Sequence, residues 1–294
     1  MSWEPNDFIR LSANGIEFEI ATMGHGSRLA LCLHGFPEHA RSWRYQMPLL
    51  ARLGYRVWAP NLRGYGGTAS PQRIADYRLP TLVNDVVGLI DASGADEVLL
   101  IAHDWGAVLA WLIAMDYPEK IHRLVIMNVP HPARFKAAFW QSRQFLRSWY
   151  IMFFQLPILP EFLLTRPGAM ASIFRNGNQS LEQTDLVTYR QNALRPGGMT
   201  AMLNWYRALV RYGGFARHDF PQIDIPTLMI WGDADVALDI ATALGTEAHV
   251  RHLTFRRLPG ISHWVQQEAP EAVNAMLEAW LTGEVVPEYR DIAG

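Results

Sequence analysis

Cysteine is almost missing from this chain. Cys32 stands alone among 294 residues, inside an apolar run. A single thiol cannot close an internal disulfide, so a disulfide scaffold is excluded and a buried structural thiol is expected. Lysine is nearly as scarce, with only Lys120 and Lys136 beside many arginines; nothing functional follows from that. Strong net charge is also lacking. A value of −2 gives no reason to expect nucleic acid or an anionic membrane as a partner. No uninterrupted apolar run reaches membrane-spanning length, and Gln155-Leu-Pro-Ile-Leu-Pro160 is broken by its prolines. The first residues show neither a basic stretch nor an apolar one of the secretory kind. These absences point to a soluble, cytoplasmic protein. No His-Glu-x-x-His motif or Cys/His cluster occurs, so no metal is expected.

What is present is a large core. Hydrophobic residues make up 50% and charged residues 18%, enough for one large α/β domain carrying an insertion. Gly15 to Ala21 alternates like a half-exposed strand. Arg28–His34, Tyr55–Pro60, Glu97–His103 and His122–Asn128 read as further strands, with helices at Trp43–Leu53, Leu79–Ser93 and Gly106–Tyr117 between them. This alternation predicts an α/β fold with a mostly parallel, doubly wound sheet. It stops at Val129-Pro-His-Pro132. Residues 130–220 look helical and aromatic, with eleven Lys plus Arg against four Asp plus Glu, leaving −9 for the remainder. That shift marks an inserted helical cap domain between a first core part, 1–129, and a second, 221–294. The second part reads as strands at Ile225–Gly232 and Arg251–Leu258, a helix at Pro270–Leu281 and a surface tail from Thr282.

One stretch organises the rest: Val98-Leu-Leu-Ile-Ala-His-Asp104-Trp-Gly-Ala-Val-Leu-Ala-Trp111. A strand-length run leads through one acid into a helical run. Asp104 is flanked by Ala102 at minus two and Gly106 at plus two, the pattern of a nucleophile elbow. Small flanks are needed because the turn presses strand and helix backbones together. The usual occupant is Ser. A Ser that attacked an sp3 carbon would leave an ether, which water does not readily cleave. A carboxylate leaves an ester whose carbonyl belongs to the enzyme, and water can attack it. An Asp elbow therefore suits opening of epoxides or displacement of halide. The bland alternative is an Asp capping the following helix.

A nucleophilic Asp needs a base for the water step, and the base needs an orienting acid. Both belong at the carboxyl ends of later strands. Gly232-Asp-Ala-Asp235 and Pro259-Gly-Ile-Ser-His263 fit, in the chain order nucleophile, acid, His. Together with His34-Gly-Phe-Pro37, Arg63-Gly-Tyr-Gly-Gly67, His103-Asp-Trp-Gly106 and Asn128-Val-Pro-His-Pro132, these motifs make nearly the whole chain resemble an α/β-hydrolase-fold epoxide hydrolase. The group is related to haloalkane and fluoroacetate dehalogenases.

The resemblance implies Asp104 as nucleophile, His263 as base and Asp235 as acid, with Asp233 a rival for the acid. Some relatives carry the acid where this chain has Asn128, which holds no charge. The resemblance places backbone N–H groups of Phe36 and Trp105 at the oxyanion. His34 and His103 are expected to hydrogen-bond the loops around the site. An epoxide oxygen leaves as an alkoxide and needs a proton, which two tyrosines supply in the epoxide hydrolases. Segments resembling the tyrosine-bearing ones occur at Ser148-Trp-Tyr150 and Asn204-Trp-Tyr206-Arg207, so Tyr150 and Tyr206 are the expected donors. The alternative for either is an aromatic cap core with its hydroxyl in water.

The carboxylate clamp of the fluoroacetate enzymes is missing, since Trp105 and Val108 stand at its positions. An apolar epoxide substrate is expected, against Phe36, Trp105, Ile151, Met152, Phe153 and Trp205. Water is the co-substrate, no cofactor is expected, and the sequence leaves a homodimer open. Two readings compete: a haloalkane dehalogenase that uses Trp105 and a cap Trp, and a non-catalytic ligand-binding protein on this fold.

Overall fold

The computed structural model describes residues 7–140, 142–175, 181–216 and 218–292. Eight strands form one sheet: β1 (Asp7–Ala13), β2 (Ile16–Met23), β3 (Arg28–Leu33), β4 (Arg56–Pro60), β5 (Glu97–His103), β6 (Arg123–Met127), β7 (Thr227–Gly232) and β8 (Leu253–Leu258). Their spatial order is β1-β2-β4-β3-β5-β6-β7-β8. β1, β2 and β4 pair antiparallel, and every pair from β4 through β8 is parallel. The inner parallel strands β3 to β7 are covered on both faces, which is why they read as largely apolar runs; β8, at the edge, is only partly buried. β1 was not anticipated. It is an edge strand whose Phe8 stands half exposed, so its sequence lacks a strong apolar alternation.

The helices before β6 are α1 (Met47–Arg52), α2 (Leu79–Ser93) and α3 (Trp105–Asp116). Pro80 sits in the first turn of α2, and Gly94 ends it in the left-handed conformation. The expected helix Trp43–Leu53 is instead a 3₁₀ turn, Ala40–Trp43, followed by α1. Pro48 in the first turn of α1 accounts for the break, because it lacks the N–H a continuous helix would use. α3 is apolar all round and correspondingly buried beneath the sheet's carboxyl edge.

Among the described residues, seven helices occupy the long connection from β6 to β7: α4 (Pro132–Ala138), α5 (Gln144–Arg147), α6 (Trp149–Phe153), α7 (Leu159–Leu164), α8 (Ala169–Arg175), α9 (Gln183–Leu194) and α10 (Gly198–Arg211). α11 (Val265–Glu268) and α12 (Pro270–Thr282) close the chain. The tail from Thr282 lies mostly at the surface, as expected, with one anchor. Val286 is buried, and its carbonyl accepts from the Arg256 guanidinium at 2.8 Å, which ties the tail to β8.

Candidate active site

Asp104 occupies the turn between β5 and α3, at φ +47° and ψ −123°. A non-glycine residue there stores about 1–3 kcal/mol of strain, which the packed strand and helix hold in place. Steric space explains the small neighbours. A Cβ on Gly106 would lie 2.4 Å from the Leu33 carbonyl oxygen, and one on Gly35 would lie 2.2 Å from the Asp104 Cβ. The Phe36 N–H donates to Asp104 Oδ1 at 2.7 Å. Trp105 opens α3, so its N–H belongs to the first turn, where helical donors lack intrahelical partners.

His263 lies between two carboxylates. Its Nδ1 is 2.7 Å from Asp235 Oδ2, and its Nε2 is 3.5 Å from Asp104 Oδ2. Asp235 is fully enclosed by donors: Ala237 and Leu238 N–H reach Oδ1 at 2.7 and 2.9 Å, and the Asn128 amide reaches Oδ2 at 2.8 Å. Asp233 lies elsewhere, engaged by the Arg257 guanidinium at 2.8 and 2.9 Å. Burial alone would lower the His263 pKa. The Asp235 charge and the hydrogen bonds to Asp104 and Asp235 outweigh it and hold the pKa well above the ordinary histidine value. Burial would likewise raise Asp104, but the hydrogen bond and charge of His263, then His103 and the Phe36 N–H, bring it below the usual carboxylate value. Asp235 is depressed for the same reason, against its own burial.

Two apolar cavities open on either side of Asp104, of about 110 Å³ and about 260 Å³. Tyr150 and Tyr206 line both, and their rings stand 5.9 Å apart. Burial first, and the Asp104 charge next, push both phenols above their ordinary pKa, so both stay protonated. The smaller cavity has Trp105 and Ile151 in its wall, the larger Phe36, Phe153 and His263.

Two expected pocket residues are not in either wall. Met152 is 64% exposed and turns to solvent, while its α6 neighbours Tyr150, Ile151 and Phe153 turn to the cavities. Trp205 is buried behind the site, its indole N–H donating to the Arg63 carbonyl at 3.0 Å and its ring 5.4 Å from that of Trp105. One step along α10 turns a side chain by about 100°, so Tyr206 faces the cavities and Trp205 does not.

A buried polar network behind the site escaped the sequence reading. His34 receives the Leu62 N–H and faces the Gly35 carbonyl, as expected of a loop ligand. His103 Nε2 meets the His263 carbonyl at 2.8 Å, and its Nδ1 meets Glu38 at 2.9 Å. Glu38 also receives the Gln267 amide, and Arg44 joins Gln267 to Asp185 of α9. The one signal available was an acid directly after His34-Gly-Phe-Pro37, in a segment otherwise buried.

A family model described as the alpha/beta hydrolase fold matches residues 31–270. The chain is 34% identical to epoxide hydrolase 4 of Homo sapiens over 290 residues, covering 94% of this chain and 79% of the relative. It is 36% identical to the AB hydrolase superfamily protein YfhM of Bacillus subtilis, over 93% of this chain and 97% of the relative. Among solved structures, epoxide hydrolase A from Mycobacterium thermoresistibile superposes with a TM-score of 0.84 at 30% identity, covering 96% of this chain and 99% of the other. The Bacillus megaterium epoxide hydrolase in complex with an inhibitor gives 0.86 at 28%, covering 93% and 100%. A sheet of this order, an aspartate on the elbow and likeness along nearly the whole chain lead to one assignment: the chain belongs to the epoxide hydrolases of the α/β hydrolase fold.

Proposed function

We propose that the protein converts an apolar epoxide and water to a vicinal diol through a covalent ester on Asp104. The observation that carries this reading is the meeting of one carboxylate and two protonated phenols, Asp104 with Tyr150 and Tyr206, on the same two apolar cavities. A halide would have no use for two phenols. Of the cap tryptophans, Trp205 has its N–H already given to the Arg63 carbonyl.

In the first step an Asp104 oxygen attacks a ring carbon. The ring C–O bond breaks, and the departing oxygen takes a proton from a tyrosine hydroxyl. In the second, His263 removes a proton from water, whose oxygen attacks the ester carbonyl carbon. The Phe36 and Trp105 N–H groups receive the oxyanion. The ester C–O bond breaks, the alkyl oxygen leaves with the water's second proton as the diol, and Asp104 is a carboxylate again.

Charge explains the order of events. In the free protein two carboxylates hold His263 protonated. Esterification neutralises Asp104, removes one of them, and lets His263 release its proton, which restores the phenol. Asp235 remains to orient the ring. The helical segment 130–220 serves as the cap that carries both phenols and closes the cavities over an apolar substrate with a substituent on each side of the ring.

The test is diol formation from styrene oxide, a trans-disubstituted epoxide and a long aliphatic one, with Asp104→Ala as the blank. Diol that vanishes in the blank supports the reading. Loss of turnover in the double variant Tyr150→Phe/Tyr206→Phe supports the donors; unchanged turnover there sinks them.

A further inference from the structure

Large apolar side chains are exposed unevenly over this molecule. Among the described residues ten of eighteen fall between Trp140 and Leu163. Trp140 and Ile158 are 78% and 79% exposed, with Leu146, Trp149 and Phe162 above half. Exposed apolar side chains concentrated in one stretch of chain mark an interaction surface. Its charge is one-sided. From 132 to 175 the chain holds six basic residues and one acid, of which Arg147 is turned to the Asp235 carbonyl and the Asp239 carboxylate. That acid, Glu161, is taken by the Arg207 guanidinium at 2.6 Å. Lys136, Arg143 and Arg166 stand exposed in the same stretch of chain. The chain-wide charge of −2 conceals this local excess.

We propose that the face from Trp140 to Phe162 docks on an anionic lipid surface, with its tryptophans and leucines at the headgroup boundary and its arginines on the lipid phosphates. Short helices with Trp, Phe and Leu outward and basic residues alongside have the composition of an interfacial element. Tryptophan suits that boundary because its apolar body carries one polar N–H. A second copy of the chain fits worse, since a face-to-face pair would bring two basic segments together. Among the described residues no helix is long and apolar enough to cross a membrane, so the contact is peripheral.

The face is continuous with the larger cavity. Trp149 is 64% exposed and also lines that cavity with Phe153, Leu164 and Asp104. Resting on the function proposed above, docking would let a lipophilic epoxide pass from the bilayer to the carboxylate without crossing water.

The experiment is flotation of the purified full chain with phosphatidylcholine vesicles, with and without about 30% phosphatidylglycerol. Binding is expected to the anionic vesicles only, and to weaken at high salt. Trp140→Ser/Leu146→Ser/Ile158→Ser and Arg143→Glu/Arg166→Glu should each lower the bound fraction about tenfold. Both should retain turnover of a water-soluble epoxide, which shows them folded. Absence of binding, equal binding to neutral vesicles, or self-association in place of vesicle binding overturns the proposal. Vesicle binding without turnover of any epoxide by the parent protein would instead overturn the functional reading and leave the docking surface standing.

Discussion

Asn128 donates its side-chain amide to Oδ2 of Asp235 at 2.8 Å, the same oxygen that faces His263 Nδ1. Its own carbonyl oxygen receives the Gly232 N–H at 2.9 Å, so the amide is fixed from both ends. Asn128 sits at φ +48°, a conformation asparagine tolerates better than most residues. The position that holds an acid in some relatives holds here a donor to the acid.

Removing that donor should therefore act through Asp235. The Asn128 hydrogen bond is one of the influences that depress the Asp235 pKa. Asn128→Ala should raise it, and move the acid limb of the pH–rate profile upward while lowering kcat about tenfold. Asn128→Asp should cost more, because two carboxylates would share one oxygen's space. A pH profile of kcat superimposable on the parent's would show that Asn128 has no part in holding the acid.

His263→Gln separates the two chemical steps. Asp104 keeps its Phe36 donor and both tyrosines keep their places, so alkylation should proceed while ester hydrolysis slows by about 10³. Intact mass spectrometry after mixing with an epoxide should then find the protein heavier by one substrate. A protein that stays at its original mass yet turns over no epoxide would contradict the covalent ester.

Gly106→Ala tests the elbow itself. The added methyl would meet the Leu33 carbonyl 2.4 Å away, and neither β3 nor α3 can retreat without repacking the core. A loss of at least about 2 kcal/mol in unfolding free energy is expected, with activity falling further than stability as Asp104 shifts. Denaturant unfolding would measure it. A fully stable, fully active variant would mean the turn relaxes freely.

Stability should peak near pH 6.5. Burial lowers His34 to about 4, and His39 and His131 to about 3, so below the unfolded value of about 6.5 only the unfolded chain takes up those protons. More protons in the unfolded state means stability is lost as pH falls, at about 1.4 kcal/mol per pH unit for each such group. His263 has the opposite sign. Its raised pKa contributes stability fully present below about 6.5 and lost as pH rises through the folded value. Melting temperature followed from pH 5 to 9 should thus fall on both sides, and His263→Gln should flatten the alkaline side alone. An alkaline limb unchanged in that variant would refute the assignment.

Features that depend on local geometry are legible in the amino-acid order alone. Ala102, Asp104 and Gly106 announce the elbow because only small flanks fit where strand meets helix. The order Asp104, Asp235, His263 follows from loops at the ends of parallel strands, and α2 was legible to the residue from Pro80 and Gly94. Whatever depends on which way a side chain turns emerges only in the folded chain. The helices between β6 and β7 carry apolar residues on several faces, so periodicity could not tell that Tyr150 and Ile151 point inward and Met152 out, or that Trp205 stands behind Tyr206. Nor could spacing bring together Glu38, His103 and Gln267, or place Asn128 on Asp235, since these contacts join segments up to 229 residues apart.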